Sequence, residues 1–79
     1  MLYLDTTDLP LGIRQTLPLH AQAIYKTNFN LAWRDLEEAP DRPNYRSRWL
    51  LAQHRAWQAV KRFYQQDSDK AWQRKPDQA

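Results

Sequence analysis

Leu9-Pro10-x6-Leu17-Pro18-x-His20-Ala21-Gln22-x-Ile24-Tyr25-Lys26-x-x-Phe29-Asn30-x-Ala32-Trp33 is the stretch on which the fold turns. Two Leu-Pro steps punctuate its start. Proline cannot continue a preceding helix but is tolerated in the first turn of a new one, so Pro18 ends one helix and opens another. Ala21, Ile24, Tyr25, Asn28 or Phe29, Ala32 and Leu36 then recur every three or four residues, which puts them on one face of an α-helix, and Trp33 widens that face. The pattern predicts a long second helix that stops before Pro40, with Pro43 confirming a loop over 38–44. His20, Gln22 and Asn30 are polar insertions that simple apolar packing does not call for.

Upstream, Met1-Leu2-Tyr3-Leu4 is apolar and Asp5-Thr6-Thr7-Asp8 is rich in turn and capping residues. Asp8 before Leu9-Pro10 reads as an N-cap, and Leu9, Ile13 and Leu17 as the buried side of a short first helix. Downstream, a third helix is expected to start between Asn44 and Ser47 and run to about Gln66, burying Trp49, Leu50, Gln53, Ala56, Trp57, Val60, Phe63 and Tyr64. Asp67-Ser68-Asp69 breaks it. Lys70 to Arg74 is short enough to pair as a strand with Leu2-Tyr3-Leu4. The expected architecture is therefore mainly α, three helices with a small two-stranded sheet joining the N- and C-terminal segments, in a single domain spanning 1–79 with its core over about 9–72.

Seventy-nine residues lie near the lower limit for an unaided apolar core, and no cysteine is present to supply a disulfide or a thiolate metal site. Four Trp, four Tyr and two Phe must supply the buried area. The longest apolar runs, Met1 to Leu4 and Trp49 to Ala52, are far short of the roughly 20 residues a spanning helix needs. No membrane span and no signal peptide are read, and a reducing cytoplasm is the expected compartment. The net charge of +3 is unevenly placed. Residues 42–66 carry six Arg or Lys and no carboxylate, whereas the first 41 carry six carboxylates against three cations, which suits an anionic partner for the later half.

The opening stretch, together with Ala52-x3-Ala56-Trp57-x-x-Val60-Lys61-x-x-Tyr64 and Trp72, resembles the ChaB family over Leu9 to Trp72. These are small bacterial and viral proteins whose family name ties them to regulation of cation transport. The resemblance implies three helices and a small sheet in a cyclin-box-like arrangement. It also implies a non-enzymatic accessory role toward a calcium/sodium–proton antiporter in the membrane, while some relatives look nucleic-acid-associated. Two departures from the antiporter-associated type stand out. The inter-helix loop bears Pro and Arg rather than a dense acidic run, and Gln53 replaces the histidine of an Ala-His pair.

The remaining chemistry is sparse. His20 is expected to fix the angle between helices one and two, since no carboxylate or second histidine lies at ligand spacing and His54 is on another helix. Asp35, Glu37, Glu38 and Asp41 lack the spaced donors and central glycine of a calcium loop and read as solvated helix ends. No nucleophile setting surrounds Ser47 or Ser68, and Gly12, the single glycine, rules out a glycine-rich phosphate cradle. No cofactor and no metal are expected.

Leu17, Pro18, His20, Gln22, Tyr25, Phe29, Asn30, Trp33, Trp57 and Tyr64 carry the resemblance and are expected to be structural. The candidate binding set is Arg46, Arg48, Arg55, Lys61 and Arg62, with Tyr45 and Trp49 as stacking aids. Arg48, Arg55 and Arg62 are spaced by seven, so they should align along one side of helix three and meet an acidic protein surface or, alternatively, nucleic-acid phosphates without sequence specificity.

Overall fold

A computed structural model describes residues 2–76. A 3-10 turn at Thr6–Asp8 leads into α1 (Leu11–Thr16), α2 (Leu19–Glu37) and α3 (Tyr45–Phe63), followed by β1 (Tyr64–Gln66) and β2 (Trp72–Arg74). Three helices with a small antiparallel sheet are what the sequence predicts, but several local assignments move. Asp8 does not cap α1, where Pro10 holds the N-cap position. It closes the preceding 3-10 turn by accepting from the Asp5 N–H at 3.0 Å, while Asp5 accepts from the Thr7 N–H. That backbone hydrogen bond from Thr7, helped by the Thr6 hydroxyl, holds the Asp5 carboxyl below the usual range.

Pro18 occupies the N-cap of α2, as its fixed φ suits. The face of α2 then buries Ala21, Gln22, Tyr25, Phe29, Ala32, Trp33 and Leu36. Asn44 caps α3 by accepting from the Ser47 N–H at 2.8 Å. The part of α3 that meets α2 is narrower than the sequence suggests: Ala52, Ala56 and Val60 are fully buried, while Trp49 and Trp57 pack at the margin of the core. Small alanines let the helices approach closely and leave the aromatic bulk to α2. Leu50 and Phe63, assigned to the buried stripe, are each about half exposed. Leu50 lies two residues from Ala52, about 200° around the helix and so on its far side. Phe63 is the last helical residue, and the chain turns extended at Tyr64, which takes the buried position instead.

That turn also corrects the sheet. Trp72–Arg74 is a strand, but its partner is β1, with Tyr64 opposite Arg74 and Gln66 opposite Trp72. Leu2-Tyr3-Leu4 is not paired with it. Asp67 builds the hairpin: its Oδ1 accepts from the Asp69 and Ala71 N–H groups at 2.9 and 3.0 Å, and its Oδ2 from Gln73 at 2.7 Å. Lys70 adopts the left-handed conformation that closes the loop, with φ 64°. A short loop costs far less closure entropy than joining the chain's two ends.

The N-terminal segment docks by another route. The Asn30 side chain acts as a one-residue ladder, accepting from the Tyr3 N–H at 2.9 Å and donating to the Tyr3 carbonyl at 2.8 Å. The Tyr3 ring then lies 4.9 Å from that of Phe29. Replacing Asn30 by leucine strands both Tyr3 backbone groups and should cost about 1–3 kcal/mol. The checks are a lower urea midpoint and faster exchange of the Tyr3 amide; Asn30→Asp, which keeps only the acceptor, should recover part of the loss.

Tyr25 is 2% exposed at the centre of the core. Burial, reinforced by neighbouring Tyr3, pushes its phenol up to about 12. Between pH 10 and about 12 the unfolded chain ionises before the folded one. The contribution is therefore intact below pH 10 and drains as pH rises to about 12, by roughly 2 kcal/mol. Urea titrations at rising alkaline pH should show this drop, and Tyr25→Phe should flatten it.

Candidate binding surface

The polar insertions in α2 each fasten it to another element. Gln22 donates from Nε2 to the Leu17 carbonyl at 2.8 Å and to the Arg14 carbonyl at 3.3 Å, satisfying carbonyls that α1 leaves open at its C-terminus. Leu17 is 4% exposed beside it. His20 Nδ1 and the Tyr64 hydroxyl share a 2.8 Å hydrogen bond that ties the start of α2 to the start of β1. Asn30 holds Tyr3. Tyr25, Phe29, Trp33 and Trp57 form a continuous set of ring contacts that ends on Trp72, 5.6 Å from Trp57. Among the described residues, every side-chain polar atom buried from solvent has a hydrogen-bond partner.

The charged row on α3 does not behave as one face. The Arg48 guanidinium lies 3.8 Å over the Trp33 ring and donates from Nε and Nη2 to the Trp33 carbonyl at 2.9 and 2.7 Å. It also meets Glu37 at 3.3 Å, and its side chain is only 13% exposed. It is a clasp on the last turn of α2, with its charge turned inward. Trp49, expected beside it as a stacking aid, packs against the core. Tyr45 is exposed, its ring centroid 5.3 Å from that of Trp33 in an edge-on arrangement.

Arg55 approaches Asp35 at 4.0 Å, both half or more exposed, which is a weak pairing. Arg46 falls about half a circumference around α3 from Arg55, while Arg62 stays within about 20° of Arg55's direction. The seven candidate residues are therefore not brought together. Lys61 and Arg62 remain as exposed cations in the last turn of α3.

The hairpin adds to that pair what the sequence reading missed. Lys75 donates its backbone N–H to the Phe63 carbonyl at 2.8 Å, and Arg74 lies opposite Tyr64. Both carry exposed side chains beside the end of α3. Among the described residues the ion pairs are Arg48–Glu37 and Arg55–Asp35, so Lys61, Arg62, Arg74 and Lys75 have no carboxylate within pairing distance. Reading Trp72–Arg74 against β1 would have shown this cluster.

Elsewhere, Lys26, Thr27, Asn30, Leu31 and Arg34 line a shallow, open groove of about 250 Å³ on α2. Among the described residues no three His, Asp or Glu side chains converge closely enough to hold a metal ion, and no helix is long and apolar enough to cross a membrane.

The family model described as ChaB matches residues 9–75. Proteins named "Putative cation transport regulator ChaB" from Escherichia coli K12 and from Shigella flexneri are each 41% identical over 75 residues, 95% of this chain and 99% of theirs. A solution structure of a protein of the same name superimposes with a TM-score of 0.80 at 40% identity, covering 94% of this chain and 99% of that one.

Proposed function

The chain belongs to the ChaB family, and from that premise we propose that it is a small cytoplasmic, non-enzymatic accessory protein that regulates cation transport by binding a protein partner. The partner in this reading is a membrane cation antiporter of the calcium/sodium–proton type, met on an acidic surface by the outward cations of α3, namely Arg55, Lys61 and Arg62. The observation that carries the reading is the split among the α3 cations. Arg48 is consumed by Trp33 and Glu37, whereas Lys61 and Arg62 stand exposed with no ion pair among the described residues. A nucleic-acid reading uses the same row, Arg46, Arg48, Arg55 and Arg62, with Tyr45 and Trp49 as stacking aids. The inward Arg48 is lost to both readings, but the stacking aid Trp49 packs against the core, which favours the protein partner.

The test is co-purification of the tagged protein with the detergent-solubilised antiporter. Wild type should capture it, and Lys61→Glu/Arg62→Glu should lose capture at unchanged helical content. Equal capture by both forms, or unaltered ion flux in a strain lacking the protein, would overturn the proposal. So would a salt-sensitive shift of labelled DNA without antiporter capture.

A further inference from the structure

The cluster at the end of α3 shares that end of the molecule with exposed apolar side chains. Phe63 is 51% exposed, immediately after Arg62, and its carbonyl receives the Lys75 N–H. The His20–Tyr64 hydrogen bond brings the start of α2 to the same end, and Leu19, the residue before His20, is 70% exposed. From this juxtaposition of Lys61, Arg62, Arg74 and Lys75 with Phe63 and Leu19, we infer that this end of the molecule docks on the anionic surface of a lipid bilayer. The inference deepens the transport-regulator reading and rests on it for the choice of membrane.

Charge complementarity selects an anionic surface, because four cations stand here without a carboxylate in reach among the described residues. Asp67, in the hairpin turn, has both carboxylate oxygens accepting hydrogen bonds within that turn. The apolar pair selects lipid among anionic surfaces. A phenyl ring and a leucine gain by entering the boundary between headgroups and acyl chains while the cations stay at the phosphates. Nucleic-acid phosphates offer an exposed leucine no such gain.

Cosedimentation with vesicles of mixed phosphatidylglycerol and phosphatidylcholine, against phosphatidylcholine alone, tests the inference on the intact chain. Binding should require the anionic lipid and disappear near 1 M salt, where the Debye length is about 3 Å. Removing two charges, in Lys61→Gln/Arg62→Gln or separately in Arg74→Gln/Lys75→Gln, should weaken partitioning roughly thirtyfold. Phe63→Ser should weaken it several-fold at constant charge, and Arg34→Gln, on α2, should leave it close to wild type. Equal binding to neutral vesicles, an Arg34→Gln loss as large as an Arg62→Gln loss, or indifference to Phe63→Ser would overturn the inference. Antiporter capture in detergent without vesicle binding would also overturn it while leaving the partner reading intact. Vesicle binding without capture would uphold it and sink the partner reading.

Discussion

Phe29→Ala is expected to leave much of the population unfolded at 37 °C. Phe29 is fully buried, with ring centroids at 4.9 Å to Tyr3, 6.3 Å to Tyr25 and 5.9 Å to Trp33. Truncating a buried phenylalanine costs about 3–5 kcal/mol from lost transfer energy and the cavity left behind. A chain of this size has a total stability of roughly 4–12 kcal/mol. Three aromatic neighbours bound the cavity, and stiff rings cannot collapse into it as aliphatic chains can. Helical circular dichroism in a urea series reads the loss directly. Phe29→Leu, which keeps most of the volume, should lose less than half as much. A loss below about 1 kcal/mol for the alanine variant would show that Phe29 is not the centre of the core.

Arg48→Ala should cost about 2–3 kcal/mol, enough to lower Tm by roughly 10–20 °C in a domain this small. The deletion removes a cation–π contact with Trp33, two hydrogen bonds to the Trp33 carbonyl and the pairing with Glu37. Arg48→Lys keeps the charge but not the planar fork that reaches the carbonyl from two nitrogens, so it should recover less than half. Arg55→Ala is the contrast: its 4.0 Å pairing with Asp35 is solvent-exposed and should be worth about 0.5 kcal/mol or less. If Arg48→Ala melts with wild type, the clasp contributes nothing, and the arginine is as available to a partner as its sequence position suggests.

The contrast between these two arginines shows where the sequence is legible. Burial along α2 follows from helical periodicity, because Tyr25, Phe29, Ala32, Trp33 and Leu36 declare a face by their spacing alone. The polar residues His20, Gln22 and Asn30 could be placed on that helix and read as structural. Their partners Tyr64, Leu17 and Tyr3 lie 44, 5 and 27 residues away and emerge only with the tertiary arrangement. Arg48 and Arg55 are indistinguishable by spacing. One lies beside the last turn of α2, where an indole face and a carbonyl are open to it; the other meets only an exposed carboxylate. The cluster with Arg74 and Lys75 was hidden for a different reason. Choosing the partner of Trp72–Arg74 required seeing that Asp67 could supply the turn by accepting three hydrogen bonds, a property of side-chain geometry that apolar patterning does not carry.

The close antiparallel packing of α2 on α3 across the loop at 38–44 also bears on how quickly the chain finds its shape. Helices joined by so short a connection pair with little entropic search, and topologies dominated by nearby partners fold in microseconds to milliseconds. The two long helices would zip first as a nucleus. The leading segment would then dock through Asn30 and the Tyr3–Phe29 ring contact, and the terminal hairpin through His20 and the Trp57–Trp72 contact, so that damage to these late contacts speeds unfolding and leaves the rate of assembly nearly untouched.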